Sequence, residues 1–345
     1  MADPAPPAAL DADLAALRDT GAPPLPPTAP AAPAAPAAPA APPGPTMDVV
    51  VQDLAPSPSG PPVRVRVYEG QRGDVTLVHA HGGGWVAGDL DRADELCRHL
   101  AAHAGCRVVS VDYRLAPAHP FPAGLDDLDA TLAWVRRRHG GPLALSGEGA
   151  DGNLAAALVH RLLRRREPAP AFLVLAYPVL GLPGRTRSWA EHADAFPVGA
   201  HALRARLADY APPADEQSTD LAPLHATDLS GHPRTHLVLA GHDPLHDEGA
   251  AYAHLLSRHG VRVSVVDHPT LCHDFLRLTG VAAAAAARDQ LVRDIGRLAR
   301  QVTPVPVQIG ATRRWPIRPE DAIHAYHPAR PAGDSASGDT PGNPS

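Results

Sequence analysis

Two glycine-rich turns carry the residues best spaced for chemistry. The apolar run Leu143-Ala144-Leu145 stops at Ser146-Gly147-Glu148-Gly149-Ala150-Asp151-Gly152, and a helix-forming run begins at once. This strand–turn–helix layout lifts one reactive side chain above a sheet, and its pattern is G-x-S-x-G. Gly147 matches the first position, but the third is Gly149 and the fifth is Asp151. The turn is present and the hydroxyl is missing. The second turn, His81-Gly82-Gly83-Gly84-Trp85, follows another apolar run. Glycines there let the backbone come close to a ligand. Asp243-Pro244 and His273 complete the set. Taken alone, Asp243 also reads as a helix N-cap, because Asp-Pro is a helix-start signal.

Substitute nucleophiles are poor. Ser146 lies on the strand before the turn and is expected to be buried. Cys272 adjoins His273, and neighbours in sequence do not face each other in the geometry a thiolate–imidazole pair needs. Asp151 opens a helix, where a carboxylate is stabilising in any case. His79/His81 and His242/His246 are paired, but there is no H-E-x-x-H and no cysteine cluster, so no metal site and no cofactor are expected.

The elements that must position these residues alternate. Residues 48–54 and 63–68 read as two strands of a hairpin. Strands follow at 75–79, 107–112, 143–146, 171–177, 235–240 and 261–266. Helices are expected at 89–104, 124–139, 152–166, 199–210, 246–259 and 281–301, with 181–232 otherwise irregular. Alternating strands and helices imply a mostly parallel sheet covered on both faces, with ligands beyond the carboxyl ends of the strands. The special residues fall at those ends. Ahead of this domain, Leu10, Leu14 and Leu17 mark one face of a short helix. The expected organisation is an N-terminal cap helix (1–21), an Ala/Pro-rich spacer (22–46), the main domain (47–302) and a polar tail (303–345) that packs no core.

At 345 residues with 44% hydrophobic content, the chain can bury a large core. A net charge of −6 gives no support to a nucleic-acid partner. No apolar run is long enough to span a bilayer, and the first residues lack the basic start and apolar core of a signal peptide. Three cysteines (Cys97, Cys106 and Cys272) form no disulfide framework and fit reduced thiols, so a cytoplasmic location is expected.

Four blocks in order resemble the hormone-sensitive-lipase-like esterases of α/β-hydrolase fold. They are His81 to Trp85; Asp112-Tyr113-Arg114-Leu115-Ala116-Pro117 with Phe121-Pro122-Ala123; the 147–151 turn; and Gly241 to Glu248 followed by His273-Asp274-Phe275. The resemblance implies that His273 is the general base and Asp243 the acid that orients it, and that Gly149 stands where the nucleophile would be. It also implies an oxyanion hole from the N–H groups of Gly83, Gly84 and Ala150. Trp85, Glu148 and Asp151 are expected to contact substrate, and an ionised Asp151 would oppose a developing oxyanion. The family's acid before the nucleophile is Asp, here Glu148, and its His-Gly-Phe is here His273-Asp274-Phe275.

Base, acid and oxyanion hole without a nucleophile allow three outcomes. The favoured one is a repurposed activity in secondary metabolism: proton abstraction, elimination or cyclisation on a small carbonyl or acyl compound. The others are weak hydrolysis by an activated water and silent binding of a small ligand. A pure binder needs neither His273 nor Asp243, which favours the first. A homodimer is an allowed assembly.

Overall fold

A computed structural model describes residues 8–20, 45–53, 60–181, 186–211 and 218–302. Most of the Ala/Pro spacer, residues 56–59 of the turn expected at 56–62, and the tail from 303 lie outside them.

Eight strands among the described residues form one sheet in the order β1-β2-β4-β3-β5-β6-β7-β8. They are β1 (Val49–Asp53), β2 (Arg64–Tyr68), β3 (Thr76–Ala80), β4 (Arg107–Asp112), β5 (Leu143–Glu148), β6 (Phe172–Ala176), β7 (Arg234–His242) and β8 (Val263–Cys272). β2 runs antiparallel to β1 and to β4, and every later pairing is parallel. This is the α/β-hydrolase fold with its antiparallel edge.

Two-residue alternation divides the strand side chains between two cores. Val78, Val109, Leu145, Leu173 and Leu237 face one core with α3 (Ala123–His139), α4 (Gly149–Arg164) and α7 (His246–Arg258). Leu77, Val108, Ala144, Phe172 and Val238 face the other with α2 (Leu90–Ala104) and α8 (Ala282–Arg300). The central strands read as unbroken apolar runs because both faces are covered. α2 shows how ends are fixed: the Asp89 side chain accepts from Arg92 N–H at 2.7 Å, a cap worth about 1 kcal/mol, and Gly105 closes the other end in a left-handed conformation.

The N-terminal helix α1 (Ala12–Asp19) buries Leu14 in the second core. Asp11 N–H donates to Thr270 O at 2.9 Å, and His242 Nε2 lies 3.0 Å from Ala8 O. The segment therefore sits against the carboxyl ends of β7 and β8, where Asp243 and His273 emerge. Two elements differ from expectation. A short helix α5 (Arg187–Glu191) precedes α6 (Ala200–Tyr210), and β8 continues to Cys272. β8 is an edge strand, mostly half-exposed and containing Pro269, so its apolar pattern fades before it ends.

Candidate active site

The elbow forms as its glycines require. Glu148 is extended, Gly149 turns to φ +54°, and α4 starts at Gly149. A Cβ on Gly147 would lie 2.3 Å from Asp151 O, and one on Gly152 2.8 Å from Pro178 Cβ, so strand, turn and helix pack too closely for side chains at either place. A Cβ on Gly149 meets no such block. It would sit 3.4 Å from His273 Nε2, pointing at the imidazole.

His273 leaves the end of β8 and Asp243 the end of β7. His273 Nδ1 and Asp243 Oδ2 are 2.8 Å apart, and both residues are buried. Asp243 Oδ1 accepts from Leu245 N–H at 2.8 Å, which fixes the carboxylate. Burial alone disfavours a charged His273, but Asp243, through charge and hydrogen bond, and Asp274 outweigh it and raise the His273 pKa above the ordinary 6.5. A base works unprotonated, so proton abstraction should be lost as pH falls through that raised value. The His273 imidazole is expected to titrate above 6.5 by NMR in the parent and below it in Asp243→Asn, where burial remains and the carboxylate is gone. Titration below 6.5 in the parent would contradict the coupling.

The glycine loop closes the site from the side. A Cβ on Gly83 would collide with Ala87 O, and Gly84 has φ +72° with Arg206 Cδ lying 2.4 Å from its Cβ position. Gly83, Gly84, Gly149, Ala150 and His273 border one cleft of about 330 Å³ of empty space, its open mouth included. Ala150 is in the first turn of α4, where N–H groups have no intrahelical acceptor. Glu148 also lines the cleft.

Trp85 and Asp151 do not border this cleft. Trp85 is buried and stacks on Tyr210 of α6 at 4.5 Å, anchoring the glycine loop. Asp151 is fully buried and accepts a hydrogen bond from Tyr113. Burial pushes its pKa well up, which disfavours the negative charge its position suggested. Ser146 is buried on β5, 2.9 Å from His79 Nδ1. Burial lifts the Cys272 thiol to about 12, which leaves it unreactive. The paired histidines are engaged elsewhere: His79 with Ser146 and Glu148, His81 stacked on Tyr113, and His246 with Asp267.

Sequence reasoning missed Arg277. It donates to Asp274 Oδ1 at 3.0 Å, Arg92 O at 3.1 Å and Gly82 O at 3.3 Å, and lies 4.0 Å from Glu148 Oε1. Burial opposes charge on Glu148, yet Arg277, His79 and the Tyr177 hydroxyl together hold its pKa down at about 2. Arg277 thus ties the glycine loop, the elbow and the His273 loop together. Arg277→Met is expected to cost about 3–5 kcal/mol, because it leaves Glu148 buried beside fewer partners. Denaturant unfolding measures this, and a loss under about 1 kcal/mol would show that Arg277 is dispensable.

A family described as alpha/beta hydrolase fold matches residues 77–277. The chain is 41% identical over 221 residues to the carboxylesterase NlhH of Mycobacterium tuberculosis (strain ATCC 25618 / H37Rv), covering 61% of this chain and 69% of that protein. It is 37% identical over 249 residues to the esterase LipI of the same strain, covering 68% and 78%. Among solved structures, a hyperthermophilic esterase from the archaeon Pyrobaculum calidifontis superposes with TM-score 0.70 at 35% identity, covering 74% of this chain and 87% of that one.

Proposed function

The chain belongs to the alpha/beta hydrolase fold family, as a carboxylesterase-like member, and from that premise we propose that it performs proton-transfer chemistry without an acyl-enzyme. His273 Nε2 takes a proton from carbon next to a carbonyl of a small substrate. The N–H groups of Gly83, Gly84 and Ala150 hold the oxygen on which the charge collects. The enolate then takes the proton back, or expels a leaving group, or closes a ring.

One observation carries this reading: the position aimed at His273 Nε2 from 3.4 Å is a glycine, while the base is hydrogen-bonded to its carboxylate. Ester hydrolysis through a covalent intermediate needs a nucleophile there. Proton abstraction needs only the base and the donors. A positioned base is worth about 10²–10⁴-fold, and oxyanion donors add to that. Asp243 fits because it keeps the imidazole in one tautomer and stabilises the imidazolium formed in transit.

Incubation with a serine-directed phosphonate, followed by intact-mass measurement, tests this. The expected result is no covalent adduct, together with turnover of 4-nitrophenyl acetate no faster than in His273→Ala. A stoichiometric mass gain would reveal another nucleophile and restore the esterase reading.

A further inference from the structure

Two arginines, Arg92 and Arg206, and two carboxylates, Glu148 and Asp274, border the cleft. Arg206, from α6, borders it and is only 7% exposed, yet it makes no hydrogen bond or ion pair with any described residue. Its stem lies over Gly84, which brings it beside the glycine N–H groups. Arg92, at the start of α2, borders the same cleft. Its one ion pair within 4 Å among the described residues is with Asp274 Oδ2, at 3.6 Å.

The carboxylates on and behind the cleft wall have partners other than Arg206. Glu148 is engaged by Tyr177, His79 and Arg277. Asp274 receives Arg277 as well as Arg92. Asp243 is taken up by His273 and Leu245 N–H. Burial opposes the charge on both Arg206 and Arg92 and lowers their pKa values, with Asp274 acting against it in each case. A buried guanidinium without a counter-ion is a costly arrangement that an anionic ligand would relieve.

We infer that the substrate carries a carboxylate, held by Arg206 with Arg92 beside it, while its carbonyl reaches the Gly83, Gly84 and Ala150 N–H groups next to His273. The planar guanidinium fork matches a carboxylate in a way no apolar wall can. The class is a small keto acid or acyl acid. This assignment rests on the proposed proton-transfer reading for the identity of the site.

Isothermal titration calorimetry on the full chain tests it. The probes are pyruvate, 2-oxobutanoate and levulinate, their methyl esters, and inorganic phosphate. At least one keto acid should bind ten times more tightly than its ester or more, and 0.5 M salt should weaken the acid alone. Arg206→Met keeps the stem over Gly84, and should remove the acid preference while leaving the ester's Kd within about twofold. His273→Ala should keep the preference. If it does, but the parent moves no proton, the proton-transfer reading fails and the carboxylate site stands. Equal binding of acid and ester overturns the assignment. So does failure of every acid to bind, phosphate binding as tightly as the acids, or a folded Arg206→Met that keeps the preference. An Arg206→Met that loses only turnover would place the guanidinium at the reacting oxygen and would also overturn it.

Discussion

Gly149→Ser is expected to raise esterase turnover well above the parent's. A Cβ at this position points at His273 from 3.4 Å, so a serine hydroxyl arrives within hydrogen-bond reach of Nε2. The Gly84 and Ala150 N–H groups flank the same cleft. Removing a serine nucleophile from a finished triad costs about 10⁶ in rate. Placing one at residue 149 should recover part of that, about 10²–10⁴-fold over the parent on 4-nitrophenyl acetate. The backbone opposes the change. Gly149 has φ +54°, which glycine adopts freely and serine does not, so the variant should be about 1–3 kcal/mol less stable.

Two controls sharpen this. Gly149→Ala imposes the same backbone strain without a hydroxyl and should gain nothing. Gly149→Ser with His273→Ala should lose the gain. Adding Asp151→Gly should not help, although Asp151 at this position looked like a charge opposing the oxyanion. Asp151 is buried away from the cleft lining and bonded to Tyr113, and burial disfavours its charge, so its removal costs packing and relieves little repulsion. A folded Gly149→Ser no faster than the parent would mean that the oxyanion donors or the His273–Asp243 pair are not in working geometry.

Much of this was readable from spacing. Strands alternate with helices, and the four motif blocks fall at carboxyl ends of strands, so Gly84, Gly149, Asp243 and His273 meet as the pattern implied. The N-terminal helix was visible from Leu10, Leu14 and Leu17, and Leu14 is fully buried. What stayed hidden depends on tertiary approach. Arg277 and Arg206 come from a turn after β8 and from α6, and no local signal separates them from the other arginines. Trp85 was expected at the substrate but stacks on Tyr210, a partner 125 positions away by residue number. The raised pKa of Asp151 comes from burial, which spacing alone does not reveal.

His273→Ala is the other change with a large expected effect, and it bears on the central claim. In the proposed reaction the base touches the reacting proton directly, so its loss should cost about 10²–10⁴-fold. The measurement is hydrogen–deuterium exchange at carbon next to the carbonyl, followed by proton NMR in D₂O. The probes are pyruvate, 2-oxobutanoate and levulinate, each with the parent, with His273→Ala and without protein. No covalent intermediate and no leaving group are needed, so exchange reports on proton removal alone. The parent should accelerate exchange in at least one keto acid, increasingly as pH rises through the His273 pKa, and His273→Ala should fall to the buffer rate. A parent that exchanges no faster than buffer, or an alanine variant that keeps the parent's rate, would contradict the account.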